Sequence, residues 1–313
     1  MPTHEYKFLK TNKVSAIGIP LSAGQPHKGV EKGPRSMMEF GLANQLQELG
    51  WEVEYHDNEE RVAQLKPEHD PVLQNLKNPK TVSAVTKDLS QQVAAAAKQG
   101  NFVLTLGGDH SLGLASVSGI FEAYPDACLI WVDAHADINT PSATTSGNIH
   151  GCPLAFLAGL SNDHPDFQWV KPCLKLNRLA YIGLRDVDDF ERKVIRDMGI
   201  TAFTMQHINK YGIGKVLDMA LDAINPGRDR PIHVSFDVDA LDPTVAPATG
   251  TPVQEGMTLR EGHFICETLA ESGLLVALDV VEVNPELSNE EDAFRTIQVG
   301  CSVARWCLGE TLL

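Results

Sequence analysis

The sequence predicts an α/β fold built on a mostly parallel sheet with helices on both faces. Two observations predict it. Eight short apolar runs recur along the 313 residues, at 14–19, 51–55, 102–106, 129–132, 179–182, 201–203, 232–236 and 274–281. Most gaps between them carry apolar residues at helical spacing. Strands that alternate with helices give a parallel sheet covered on both sides. Eight such units also suit a closed barrel, and periodicity alone leaves both open. A third observation concerns organisation: regular units continue from end to end without repeats, low-complexity tracts or a linker, so residues 1–313 read as one domain.

The helices follow in order. Pro34 suits a first helical position, after which Met38, Leu42, Leu46 and Leu49 keep helical spacing until Gly50. Val82, Val85, Leu89, Val93 and Ala96 form a second stripe, closed by Gly100. Thr258 with Glu261 reads as a capping box for a helix reaching about Gly273, and Ser288 with Glu291 as another for the last helix. The stretches 57–80 and 161–175 are polar, proline-punctuated and poorly periodic, and read as surface excursions.

Composition narrows the function. A formal net charge of -15 argues against nucleic acid or an anionic membrane as partner and favours a cationic ligand. The six cysteines (128, 152, 173, 266, 301 and 307) show no metal or disulfide spacing, which fits a reducing compartment. The start, MPTHEYKFLKTNK, has no apolar signal region, and no window approaches the roughly 20 apolar residues of a spanning helix, so a cytoplasmic location is expected.

The chemistry gathers where apolar runs end. After 129–132 come Asp133, His135 and Asp137 at alternate positions, so that in an extended chain they share a face. A polar loop then leads to His150. After 102–106 comes Gly107-Gly108-Asp109-His110, where the glycines permit a tight turn. Asp237 and Asp239 follow 232–236, Glu282 follows 274–281, and Arg185, Asp186, Asp188 and Glu191 follow 179–182. Any one of these could be a turn or a helix cap. Several at corresponding strand ends point to a ligand site, because carboxyl ends of strands are where parallel sheets and barrels both bind ligands.

His110, Asp133, His135, Asp137, Asp237 and Asp239 supply four carboxylates and two imidazoles. One zinc ion takes three or four ligands, so six suit two divalent ions with shared carboxylates. Oxygen-rich ligation with some imidazole and no thiolate favours manganese, with cobalt, nickel or iron as substitutes. Two ions about 3.5–4 Å apart can share a water and lower its pKa, which points to hydrolysis.

The motifs GGDHS, VDAHADINTP, TTSGNIHG, YIGLRDVD, SFDVDALDP, ATGTPV and EVNP, in this order, resemble the arginases within the ureohydrolase family. The resemblance spans about 14–304. It implies a three-layer domain with an open eight-stranded sheet, and two manganese ions serving a metal-bridging hydroxide that converts L-arginine to L-ornithine and urea. It implies that His110, Asp133, Asp137 and Asp237 hold one ion and Asp133, His135, Asp237 and Asp239 the other. It further implies that Glu282 holds the guanidinium, Asp239 relays a proton and His150 shuttles one. Asn139, Thr144, Ser146 and Asn148 would contact the α-carboxylate, Asp188 and Glu191 would face the α-amino group, and Thr251 would support Glu282. Between Asp188 and Glu191, Asp189-Phe190 departs from the small or turn-forming pair common in arginases. A homo-oligomer, trimer or hexamer, is also implied. Rival readings are another ureohydrolase, such as agmatinase or guanidinobutyrase, and a metal-free regulatory homologue. The histidines at 4, 27, 56, 69, 164, 207, 233 and 263 have no partner motif and read as structural or solvated.

Overall fold

The structure, a computed structural model, describes residues 5–311. Its strands are β1 (Lys13–Ile19), β2 (Glu52–His56), β3 (Phe102–Gly107), β4 (Cys128–Val132), β5 (Leu179–Leu184), β6 (Thr201–Thr204), β7 (Ile232–Asp237) and β8 (Leu275–Val281). They form one sheet in the order β2-β1-β3-β8-β7-β4-β5-β6. Every pairing is parallel. With β2 and β6 as free edges the sheet is open, which decides against the barrel.

The helices are α1 (Gly33–Glu39), α2 (Leu42–Glu48), α3 (Glu59–Leu65), α4 (Pro79–Gln99), α5 (Gly113–Ala123), α6 (Pro153–Leu157), α7 (Asp189–Asp197), α8 (Met205–Tyr211), α9 (Ile213–Ile224), α10 (Leu259–Glu271) and α11 (Glu290–Cys307). Side chains of a strand alternate between faces, and the core divides accordingly. Cys128, Ile130 and Val132 of β4 pack on one side with α1, α2, α8, α9, α10 and α11. Leu129 and Trp131 pack on the other with α3, α4, α5 and α6.

The expected boxes and breaks meet three local differences. The first helix is two, because Gly41 at φ 97° turns the chain and lets Met37, Leu42 and Leu46 all reach the core. The last helix is capped by Asn289 on the Asp292 amide, one residue later than the Ser288–Glu291 pairing. The surface stretches are less loose than their composition suggests. Residues 57–80 contain α3, and 161–175 bury Phe167, Val170 and Leu174. The Thr258–Glu261 box forms as expected. His4 lies outside the described residues. No helix among the described residues is long and apolar enough to cross a membrane.

Sheet order gives the fold its functional meaning. The strands that end in His110, Glu282, Asp237 and Asp133 are β3, β8, β7 and β4, four consecutive neighbours at the centre of the sheet. β5, which leads to Arg185–Glu191, is next in line. Residues far apart in the chain thus meet along one carboxyl edge.

Candidate metal centre

His110 reaches the edge through a turn with no room for a side chain. A Cβ on Gly108 would lie 1.9 Å from the Leu21 carbonyl oxygen, so close approach of two backbones requires this glycine. The Asp109 carboxylate then accepts the amides of Gly24 and Ser111, fixing the turn. His110 is fully buried and stacks on Trp131 with ring centroids 3.9 Å apart.

Its Nδ1 lies 2.9 Å from Asp133 Oδ2, 3.2 Å from Asp137 Oδ2 and 3.2 Å from Asp237 Oδ2. Yet this nitrogen is aligned as a hydrogen-bond donor to none of them. One ring nitrogen facing three carboxylate oxygens without a hydrogen bond has the arrangement of a ligand shell around a cation. A second group forms where His135 Nδ1 lies 3.3 Å from Asp133 Oδ1 and 3.1 Å from Asp239 Oδ2. Asp133 offers one oxygen to each group, the position of a bridging carboxylate. Its Oδ2 also accepts a hydrogen bond from the Trp131 indole at 2.9 Å. His110, Asp133 and Asp237, and separately Asp133, His135 and Asp239, bring ligand atoms within 4.8 Å of one another. Asp137 joins the first group through its contact with His110 and stands at φ 50°, a conformation that costs a non-glycine residue energy. Asp237 directs its other oxygen to the Asp239 amide, 2.8 Å away. The donor set fits a pair of divalent ions.

Electrostatics agree. Burial works against charge on both imidazoles, but Asp133, Asp137 and Asp237 around His110 raise its pKa well above the ordinary histidine range. Burial is likewise overcome at His135, by Asp239 and Asp133. Burial, and after it the neighbouring Asp133, pushes Asp137 up to about 6; burial also raises Asp237 and Asp239. Desolvation opposes ionisation of Asp133 too, but the two histidines hold it below the carboxylate range. The cluster therefore holds protons that incoming cations would displace.

Behind the cluster lies a buried polar chain. His110 Nε2 is 2.9 Å from Ser235 Oγ, which fixes the ring with Nδ1 toward the carboxylates. Asp279 accepts from Ser116 at 2.7 Å and lies 3.0 Å from His233 Nε2. His233 is fully buried, in line with a structural role.

Glu282 follows β8 at φ 62°. Its Oε1 accepts the His110 amide at 2.9 Å and lies 3.2 Å from His150 Nδ1. Burial lowers the His150 pKa, but Glu282 outweighs it and the value is pushed up to about 9. Thr251 donates to Asp239 at 3.0 Å, so its hydroxyl reaches the metal-side carboxylate and not Glu282.

Above the floor opens a cavity of about 160 Å³ lined by His135, Asp137, Asn139, Thr144, Ser146, His150, Asp188, Glu191 and Thr251 among others. Asn139 Nδ2 donates to Asp188 at 2.8 Å, joining the two loops expected to read an amino-acid end. Glu191 is buried, and its oxygens accept the amides of Ile138 and Asp188, each at 3.0 Å. It closes a capping box on α7. Burial, then Asp137, pushes its carboxyl up to about 7. Asn148 is not part of that lining and joins it through Ser146, whose hydroxyl oxygen accepts the Asn148 backbone N–H. A wider recess of about 570 Å³ lies beside Arg35 and Tyr55, but neither of the two metal-capable groups found among the described residues lies in it.

Sequence reasoning placed all six metal-capable residues at one edge and missed Trp131, Ser235 and Asp279. Trp131 was hidden in an apolar run. Asp279 carried a readable signal as the lone polar residue of β8, and Ser235 a weaker one, because it shares β7 with His233 and Asp237.

An open parallel sheet with a two-part cluster of acids and imidazoles at the carboxyl ends of its central strands defines an α/β protein with a candidate site for divalent cations. Residues 12–309 match the Arginase family. An arginase of Glaciozyma antarctica is 54% identical over 98% of this chain and 90% of its own length, and one of Saccharomyces cerevisiae is 46% identical over 98% of each. Among solved structures, arginase from Bacillus caldovelox superposes with a TM-score of 0.87 at 33% identity, covering 96% of this chain and 99% of that one. Arginase from Entamoeba histolytica, solved in complex with L-ornithine, gives 0.85 at 29% identity, covering 97% and 100%. The chain belongs to the arginase family and is an enzyme of that kind.

Proposed function

We propose that the chain hydrolyses L-arginine to L-ornithine and urea, using two manganese ions held by His110, Asp133, His135, Asp137, Asp237 and Asp239. The observation that carries this reading is the pair of ligand groups sharing Asp133 beneath an anionic cavity. Bound there, two divalent cations would lower the pKa of a shared water enough to supply hydroxide near neutral pH.

The chain's own residues account for the rest. A guanidinium is cationic and suits a wall of carboxylates; Glu282, bonded to the His110 amide and His150, would hold it. Asp239, steadied by Thr251 and the Ala134 amide, would take the proton of the attacking water. The departing amine needs a proton, and His150, kept protonated at neutral pH by Glu282, has one to give. Asn139, Thr144, Ser146 and Asn148 offer neutral donors to an α-carboxylate, while Asp188 offers an acceptor to an α-ammonium. Glu191, with both oxygens on backbone amides, would act on the ammonium through its charge and by fixing Asp188 and Ile138. The Entamoeba relative bound to L-ornithine supports this choice of amino acid. The same reading carries one domain over 1–313, a cytoplasmic location and a homo-oligomer, trimer or hexamer, which light scattering would count.

The test is metal analysis of purified protein joined to urea release from arginine and from agmatine. About two manganese ions per chain and a strong preference for arginine are expected. Faster release from agmatine would assign the chain to another ureohydrolase activity. Full metal loading without urea from either would end the reading.

A further inference from the structure

The cavity is prepared for positive charge and unprepared for negative charge. Its lining includes five acids, Asp137, Asp186, Asp188, Glu191 and Asp237, and no lysine or arginine. An amino acid with a guanidinium side chain brings a carboxylate as well as two cations. Hydroxyls at Thr144 and Ser146 can donate to that carboxylate, but they carry no charge, and Asp186, Asp188 and Glu191, which hold no metal ion in the reading above, stand in the same lining.

A cation comes from the chain segment just before α4. Lys77 Nζ donates to Asn148 Oδ1 at 3.3 Å. The side chain is exposed and, among the described residues, takes part in no ion pair within 4.0 Å. Its backbone is firmly placed. Lys77 N donates to the Gly147 carbonyl at 2.9 Å, and the Asn75 side-chain amide donates to the carbonyls of Pro141 at 3.2 Å and Thr144 at 2.7 Å. Asn78 Nδ2 reaches the Ala23 carbonyl at 2.9 Å. Gln74, Asn75 and Asn78 adopt φ of 45°, 70° and 50°, a left-handed geometry kept only where surroundings enforce it. On the other side, Gly147 stands at φ 72°, where a Cβ would come within 2.3 Å of the Asn75 carbonyl oxygen. The segment 74–78 and the loop 139–148 are locked together, with the Lys77 ammonium on Asn148 and, among the described residues, in no ion pair.

We infer that Lys77 is a specificity-determining residue, whose ammonium supplies the positive charge that favours a guanidino substrate bearing an α-carboxylate over one without it. The inference rests on the arginine reading above. Asn75 is a positioning residue for the same loop.

The test compares KM for L-arginine and agmatine in the manganese-loaded parent, Lys77→Met and Lys77→Arg. Where agmatine turns over too slowly, inhibition constants of L-ornithine and 1,4-diaminobutane replace the pair. For Lys77→Met the arginine KM rises about fivefold at low salt, the scale of an exposed ion pair, and less at high salt. The carboxylate-free ligand is unaffected, and Lys77→Arg restores most of the difference. An unchanged ratio between the two ligands overturns the inference, and so does an equal weakening of both, which would mark Lys77 as merely shaping the loop. A parent that releases no urea from arginine sinks the underlying reading instead.

Discussion

At the floor of the pocket, Asp133 and Asp237 stand at the ends of fully buried strands of five and six residues, and His110 and Glu282 follow two more. At the rim, Thr144, Ser146 and Asn148 lie in a stretch from 138 to 148 without strand or helix, held by hydrogen bonds to Asn75, Lys77 and Asp188. The two regions tolerate change differently. A floor residue removed leaves buried charges without partners, and the sheet cannot relax to cover them. A rim residue removed leaves groups that water can reach. In the proposed reading, chemistry is therefore fixed by the sheet and choice of substrate is left to the loops at the rim.

Substitutions sharpen the contrast. Asp133→Ala removes an oxygen from each ligand group, so both metals should be lost and urea release should fall by at least about a thousandfold, read by metal analysis and a urea assay. Retention of both ions would mean the groups do not depend on a shared carboxylate. His150→Ala should lower turnover about a hundredfold while metal content stays at the parental value. Metal loss in that variant would move His150 into the floor. Asp188→Ala should raise KM for arginine about tenfold with little change in turnover, as loss of a charged hydrogen bond at the rim predicts. An unaltered kcat/KM would remove Asp188 from the reading of the amino group.

The smallest effect is on stability and has a defined sign. The His150 pKa is raised to about 9 in the folded protein. The His150–Glu282 pair therefore stabilises the metal-free fold fully below the unfolded histidine value of about 6.5, and that contribution is lost as pH rises through 9. Thermal melts of metal-free parent and His150→Asn should differ most below pH 6.5 and converge above 9. A gap that widens at alkaline pH would refute the pairing.

Much of the floor was legible in the sequence because a buried strand announces itself as an apolar run and its end as the first polar residues. Two-residue spacing then marked Asp133, His135 and Asp137, and Asp237 with Asp239, as partners, although the chain is not extended there: Asp137 stands at φ 50° and Asp239 lies in a 3-10 turn. The neighbourhood of β3, β8, β7 and β4 was not legible, since strand order depends on crossovers that no local pattern encodes. The α1–α2 break was missed because Gly41 sits between apolar positions that fit one continuous stripe. The fit of 74–78 against 139–148 was also hidden. Its left-handed residues are asparagine and glutamine, not glycine, and the loop atoms that Asn75 and Lys77 bond lie 66 to 71 positions away in the chain.

The order of the central strands has a consequence for how the protein comes into being. β7 and β8, made last, insert between β3 and β4, made long before. A ribosome-bound chain that has emerged only as far as β6 owns His110, Asp133, His135 and Asp137 but not the wedge that brings them into register. No N-terminal fragment should assemble the centre. Manganese capture during synthesis, followed on stalled chains of increasing length, should switch on only after the last strand is released, making the ion a reporter of completed topology.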